Sequence, residues 1–170
     1  MKMTEEDRFK IGPVVSSAHL ANSAMPEVSE MEFALAMGNH AFQRWMTRCM
    51  DAAGHPGMAP LEIQVLHLVH HRERPKTLAD ICLVLNIEDT HTVNYALRKL
   101  TERKLITSGR KAKEKTVSIT EEGAELCRRY GKVREALLIL ERRHLIDILP
   151  RRGAVVKEMS ESQVRGLYEL

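Results

Sequence analysis

The sequence has few aromatic residues, few cysteines and no long apolar run. Only 4% of its 170 residues are Phe, Trp or Tyr, so a buried core must consist mainly of aliphatic and Met side chains. No stretch approaches the roughly 18 apolar residues of a membrane span, and the polar start MKMTEEDRFK is not typical of a secretory signal. The cysteines Cys49, Cys82 and Cys127 form no CxxC pair, which argues against a disulfide framework or a zinc ribbon. We therefore expect a cytoplasmic protein with one main domain and no membrane partner.

The sequence also lacks the motifs of the common enzyme classes. It shows no paired carboxylates, Ser/His/Asp order, Gly-rich phosphate loop or HExxH helix. We predict that the chain is not an enzyme and has no cofactor. The remaining enzymatic alternative, hydrolysis at a metal held by His67 and His71, would need further ligands that the sequence does not show.

What the sequence does have is a strongly basic segment. Residues 91–115 contain eight basic and two acidic side chains, a net charge of +6. Because the whole chain carries +3, all other residues together carry −3. A local basic patch on a mildly acidic body is typical of a protein that binds a polyanion.

Hydrophobic periodicity predicts a mainly α-helical chain with one basic hairpin. Residues 1–28 show no sustained period and are expected to form a flexible arm. Two β-prone runs, 105–107 and 116–119, flank a polar and basic connection. The third predicted helix is short, with Thr77 and Asp80 as a capping pair and a buried face that includes Val84. The predicted helices cover 30–53, 60 to before 75, 77–85, about 90–103, 120–149 and a last one from Ser160.

The order of helix, helix, turn, helix and basic hairpin predicts a winged helix-turn-helix, mainly α with a small antiparallel β-wing. The helix near 90–103 would enter a major groove with Val93, Leu97 and Leu100 turned to the core. The cations of the hairpin would lie along the DNA backbone, and Arg110 could enter a minor groove. The predicted DNA-binding residues are Thr77, Thr90, His91, Thr92, Asn94, Tyr95, Arg98, Lys99, Arg110, Lys111, Lys113 and Lys115.

The segment TLADICLVLNIEDTHTVNYALRKLTERKLI, the basic hairpin and VSITEEGAEL together resemble the MarR family of winged-helix regulators. The resemblance covers about residues 30–145. Its motifs are Thr92-Val93 and the stripe of Leu97 and Leu100 in the recognition helix, Leu105-Ile106 where that helix ends, and the sequence ITEEG at 119–123. It implies a ligand-responsive homodimeric repressor that binds double-stranded DNA. A small-molecule effector would act by changing the distance between the two recognition helices.

Three positions depart from the family pattern. Lys104 stands where a Gly usually ends the recognition helix. The wing reads Ser108-Gly109-Arg110, without the customary Asp before its Arg. Tyr95 stands where many members have Arg. These departures concern the geometry of the wing and the operator sequence rather than the fold.

The long helix predicted at 120–149 indicates dimerisation. Its apolar stripe runs further than one small domain can cover, which implies a partner helix. We therefore expect residues 29–149 to form the winged domain with its dimerisation helices, and the C-terminal helix in 150–170 to contribute to the dimer. The stripe consists of Leu126, Cys127, Tyr130, Val133, Leu137, Leu140, His144, Leu145 and Ile148.

Three alternatives remain open at this point. The basic segment could be a solvated face of a winged helix that binds only protein. His67 and His71, four residues apart on one helical face with His70 between them, could make the chain a metal-responsive sensor, although a histidine cation at a helix C-terminus explains them without metal. Cys49 could be a redox switch, although a buried filler of the core explains it equally.

Overall fold

The computed structural model describes residues 25–111, 114–143, 145–149 and 153–157. Of the predicted arm, residues 1–24 lie outside these ranges. Its last residues, 26–28, belong to the first helix instead. The predicted helix from Ser160 also lies outside the described ranges. In chain order the elements are α1 (Pro26–Ala52), α2 (Pro60–His70), a 3₁₀ turn (His71–Glu73), β1 (Lys76–Thr77), α3 (Leu78–Leu85), α4 (Thr90–Glu102), β2 (Ile106–Lys111), β3 (Glu114–Ile119), α5 (Glu121–Arg142), β4 (Ile146–Leu149) and β5 (Gly153–Val156).

The chain divides into two units, residues 1–42 and 43–170, with the boundary inside α1. In the first unit, the described residues form the first part of α1, and Val28, Met31 and Leu35 of this part are exposed. The second unit contains all the other elements of the described chain.

The core of the second unit is aliphatic and sulfur-rich, as the shortage of aromatic residues predicts. Helices α2, α4 and α5 and the start of β2 supply most of it. The side chains that are less than 2% exposed are Met50, Ile63, Leu66, Ile81, Leu100, Leu105, Leu126, Val65, Val69, Val93 and Cys49, and Ile106 is close to them at 2%.

The predicted capping pair at the start of the third helix is confirmed by the structure. The hydroxyl of Thr77 accepts a hydrogen bond from the Asp80 amide at 3.1 Å, and the Asp80 carboxylate accepts one from the Thr77 amide at 2.8 Å. This reciprocal capping box starts α3. Asn86 ends it in the left-handed conformation, with φ of 52°, and Ile87 donates to the Cys82 carbonyl as in a Schellman motif.

The wing is a three-stranded antiparallel sheet in the order β1-β3-β2. Its hairpin is longer than predicted, because pairing continues from Ile106↔Ile119 to Lys111↔Glu114. Strand β1 is an addition that periodicity did not predict, since two residues are too few to show a period. It pairs Lys76 with Val117 and so attaches the base of the wing to the start of α3.

Two predictions about the helices are wrong. The long helix ends at Arg142 rather than at Leu149. The residues after it include the β-branched Ile146 and Ile148, and they form strand β4, which pairs with β5 in a second hairpin. An ion pair of 3.0 Å between Lys157 and Asp147 joins the two strands. Val84 is 63% exposed instead of buried, because the short α3 turns only Ile81 fully inward.

Candidate nucleic-acid interface

The predicted recognition helix, α4, begins with a well-formed cap. The Asp89 carboxylate accepts hydrogen bonds from the His91 amide at 2.9 Å and from the Thr92 hydroxyl at 2.6 Å. These two hydrogen bonds, that from Thr92 first, hold the pKa of Asp89 below its usual value. The carboxylate at the reading end of α4 is therefore explained as a helix cap.

The inward face of α4 consists of Val93, Ala96 and Leu100, all buried, with Leu97 half-buried beside them. This arrangement agrees with the predicted stripe and adds Ala96 to it. Burial of this face fixes the rotation of the helix about its axis. The other faces of the helix expose the predicted residues Thr90, His91, Thr92, Asn94, Tyr95 and Arg98.

Not all of these side chains are equally available. Lys99 is half-buried, and its Nζ lies 5.7 Å from the centre of the Tyr95 ring and 3.3 Å from the Glu102 carboxylate. The Thr92 hydroxyl already donates to Asp89. Asn94 and Arg98 are exposed on the same helix.

The C-terminal end of α4 has the geometry that usually requires glycine. Lys104 has φ of 61°, at the position where the resembled family has Gly. Its amide donates to the Thr101 carbonyl at 2.9 Å, and the Leu105 amide donates to the Leu100 carbonyl at 3.0 Å. These two bonds form a Schellman motif, with the fully buried Leu100 and Leu105 as its apolar pair.

The ITEEG sequence attaches this end of α4 to α5. The Thr120 hydroxyl accepts from the Gly123 amide at 3.1 Å, and its single proton is shared between the Lys104 and Leu105 carbonyls at 2.8 and 2.9 Å. A Cβ at residue 123 would collide with the Leu105 carbonyl oxygen and press against the Ile119 side chain. Glycine is therefore required at this position by the close approach of the backbone to the end of α4.

The wing places like charges opposite one another. Arg110 on β2 and Lys115 on β3 are direct cross-strand partners, and both are exposed. A like-charged pair in this position is destabilising unless an anion lies beside it. The Lys111 side chain and the whole of Lys113 lie outside the part of the chain that the structure describes.

Thr77 lies at the base of the wing rather than at its tip. It is half-buried, pairs with Thr116 and uses its hydroxyl in the capping box of α3. The structure therefore assigns Thr77 a role in capping, and its predicted contact with DNA stays a prediction.

Two cations that are important in the structure were not identified from the sequence. Arg103 was counted in the basic segment, but its guanidinium faces internal acceptors at Pro56, Gly57 and Glu62. Lys76 is only 7% exposed. A basic residue next to a helix C-terminus was the available signal for Lys76, whereas no local signal distinguishes Arg103 from Arg98.

Lys76 caps the end of α2. Its Nζ donates to the carbonyl oxygens of His71 at 2.7 Å, Arg74 at 3.0 Å and Val69 at 3.5 Å. Burial, followed by the charge of Arg74, lowers the pKa of Lys76. These bonds hold a turn in which Arg72 and Glu73 both have positive φ, of 60° and 47°.

The interpretation of His67 as a cation at the end of α2 is wrong. Its ring centre lies 4.6 Å from that of Tyr130, and burial, followed by the charges of His70 and Arg134, lowers the pKa of His67 to about 4. His67 is therefore neutral near pH 7, and Lys76 supplies the cation instead. His71 is exposed, and the described residues contain no group of three or more His, Cys, Asp or Glu side chains arranged to hold a metal.

The thiols are arranged as core residues. Cys49 and Cys127 are buried. Burial raises the pKa of Cys49, and it raises the pKa of Cys127 to about 12. Both groups are therefore thiols rather than reactive thiolates at neutral pH. None of the helices in the described ranges combines the length and apolar character that a membrane span needs.

Comparison with known proteins agrees with this geometry. Residues 58–123 match the family model described as the winged helix DNA-binding domain. No curated protein sequence matches the chain. A MarR mutant from E. coli, solved in complex with operator DNA, is similar with 14% identity and a TM-score of 0.59, over 87% of this chain and 95% of that one.

Two further solved structures are similar over most of their length. MepR, a transcription regulator of the Staphylococcus aureus multidrug efflux pump MepA, has 18% identity and a TM-score of 0.53, over 81% of this chain and 90% of that one. A MarR-family transcriptional regulator from Rhodococcus sp. RHA1 has 13% identity and a TM-score of 0.54, over 87% and 91%. Residues 58–123 therefore resemble a winged helix DNA-binding domain, and the chain has the fold of the MarR-family regulators.

Proposed function

We propose that this protein is a sequence-specific regulator of transcription that binds double-stranded DNA in the cytoplasm as a homodimer. The observation that carries the proposal is an exposed polar face on α4, followed in the chain by an exposed cation pair on the wing. The helix supplies groups that distinguish bases, and the wing supplies charge for the phosphate backbone.

Helix α4 has the dimensions that major-groove reading needs, and its buried stripe leaves a polar face exposed. Its 13 residues span about 20 Å at 1.5 Å per residue, and a single helix fits a groove about 12 Å wide. The buried Val93, one residue before Asn94, turns the amide of Asn94 to the flank of the exposed face. An Asn in this position can bond bidentately to adenine.

The wing has the charge that backbone contact needs. Arg110 and Lys115 repel each other across the hairpin, and a phosphate between or beside them would remove that repulsion. The structural relatives support this arrangement, because the similar E. coli protein was solved with operator DNA and MepR of Staphylococcus aureus was solved in complex with DNA.

The second half of α5 supports a homodimer. Leu138 and Ile139 are 44% and 49% exposed, whereas Leu126 on the first half of α5 is fully buried. Exposed apolar residues next to each other on a long helix are typical of an interface. A second copy of the chain, with its α5 packed here, would cover them. Repression relieved by a small-molecule effector rests on the resemblance to the MarR regulators.

Binding of duplex DNA by Asn94→Ala tests the reading face. The variant removes a base contact without a change in charge, so we expect unchanged folding and an unchanged slope of log affinity against log salt concentration. The preference for the selected site over random duplex should fall by about 1–3 kcal/mol. Sites are first selected with the wild-type protein, and Thr101→Ala, whose hydroxyl donates to Leu97 within α4, is the matched control. A variant that keeps the full preference would contradict the placement of the reading face.

The oligomeric state tests the dimer. Replacing Leu138 and Ile139 together by Glu forces charge into the proposed apolar contact, so sedimentation should show monomers at concentrations where the wild type is dimeric. The controls are two substitutions at exposed positions of the same helix, Lys132→Glu and Glu135→Gln. A wild-type chain that stays monomeric at all concentrations would contradict the proposal.

A second function is favoured by one observation. Leu83 and Val84 are 82% and 63% exposed, and both belong to α3, the first helix of the helix-turn-helix. Exposed apolar residues on a helix-turn-helix are typical of contact with another protein. If the chain is a winged-helix protein-interaction module, the purified protein binds no duplex at low salt.

A further inference from the structure

Arg103 is the C-cap residue of α4, and its half-buried guanidinium contacts acceptors of the protein itself. Nη2 donates to the Gly57 carbonyl at 2.8 Å, and Nη1 lies 3.5 Å from the Pro56 carbonyl. Nε lies 3.8 Å from the Glu62 carboxylate of α2. Two nitrogens of this side chain therefore donate to backbone carbonyls and the third faces a carboxylate, an arrangement that a single lysine nitrogen could not reproduce.

The acceptors of Arg103 are themselves well fixed. Gly57 has φ of 75°, and its amide donates to the Asp51 carboxylate at 3.3 Å, which closes the loop that follows α1. Glu62 is 6% exposed, and Arg103 is the cation beside its carboxylate. A buried carboxylate without its cation is costly, so this ion pair, although too long for a hydrogen bond, favours the observed position of Arg103.

The same end of α4 is joined to α5 through Thr120. Its hydroxyl proton is shared between the Lys104 and Leu105 carbonyls, at 2.8 and 2.9 Å. Arg103 and Thr120 thus attach the end of the reading helix on two sides, one to the loop after α1 and the other to α5. Such attachments determine the tilt of a helix, whereas its buried stripe determines its rotation.

We infer that Arg103 is a positioning residue for DNA reading. It holds the recognition helix at the angle at which Asn94 reaches a base edge, and it is not a phosphate contact. The inference rests on the proposed function, and it separates Arg103 from Arg98, an exposed arginine of the same helix.

The experiment compares the full-length variants Arg103→Lys, Arg103→Gln with Glu62→Gln, and Arg98→Gln. Affinities for the selected and random duplexes are measured at several salt concentrations. The double variant removes both charges of the pair, so no buried carboxylate is left alone and the protein can fold. Circular dichroism and thermal unfolding establish that each variant is folded before its affinity is measured.

Arg103→Lys keeps the positive charge but removes the planar guanidinium with its several donors. We expect its preference for the selected duplex to fall at least about fivefold, with no change in the salt slope. The double variant should show the same loss and the same slope. Arg98→Gln should instead reduce the salt slope by about one and weaken binding to both duplexes alike.

Three results would overturn the inference. The first is a folded double variant whose salt slope falls as that of Arg98→Gln does, because Arg103 would then contact phosphate. The second is an Arg103→Lys protein with the wild-type preference and slope. The third is a wild-type chain that binds no duplex, which overturns the proposed function and this inference together, whereas the first two overturn the inference alone.

Discussion

Arg98 lies within α4 and Arg103 caps its C-terminal end, and both belong to the same basic segment, yet they lie in different environments. Arg98 is exposed on the face opposite to the core. Arg103 is fixed between the loop after α1 and the carboxylate of Glu62. The comparison shows that the charge counted along a sequence is larger than the charge available to a ligand. Other pairs of the same residue type, one packed against the protein and one at an open position, extend the comparison and make it testable.

The largest effect is expected for the glycines of α5. Gly123→Ala places a Cβ against the Leu105 carbonyl and the Ile119 side chain, so the free energy of unfolding should fall by about 2–3 kcal/mol. Gly131→Ala is the matched control, because open space surrounds a Cβ there. It should stabilise the helix by about 0.5–1 kcal/mol. Denaturant unfolding at one protein concentration measures both, and equal effects would contradict the close approach at Gly123.

A second large effect is expected for Lys76. Lys76→Met removes the donor to the His71 and Arg74 carbonyls, so the free energy of unfolding should fall by about 2 kcal/mol. Lys115→Met, on the exposed wing, should change it by less than about 0.5 kcal/mol. A Lys76 variant as stable as the Lys115 variant would mean that the turn at Arg72 and Glu73 does not need this cap.

The smallest effect is expected for the histidines and depends on pH. The pKa of His67 is about 4 in the folded protein and about 6.5 when unfolded, so the unfolded state binds protons more readily. The contribution of His67 to the free energy of unfolding is fully present above pH 6.5 and is lost as pH falls towards 4. Between pH 7 and 5.5 the loss should be about 1 kcal/mol.

The control for this prediction is the exposed His91. His67→Gln should remove most of the loss between pH 7 and 5.5, whereas His91→Gln should retain it. Unfolding measured at both pH values compares the three proteins, and an unchanged pH dependence in His67→Gln would mean that His67 is not held neutral. Other groups with shifted pKa, such as His55, contribute equally to all three proteins.

The helix-turn-helix could be predicted from the sequence because its signals are local. The capping pair Thr77 and Asp80, the left-handed Asn86 and the cap Asp89 each act within four residues. The inward stripe of α4 repeats with the period of the helix, so the exposed face, including Asn94, followed from the same pattern. The departure from the family pattern at Lys104 changed neither the helix-turn-helix nor the exposed face of α4, because a Lys with positive φ still completes the Schellman motif.

By itself, then, the sequence determined the order of the elements, the winged helix and the residues that α4 exposes. Only the tertiary structure decided where α5 ends, because the pairing of β4 with β5 competes with helix formation through contacts distant in the chain. It also decided that β1 joins the wing, that His67 is neutral and that Arg103 and Lys76 are used internally. These properties depend on burial and on partners up to 47 residues away, and a local pattern of charge or hydrophobicity contains no information on either.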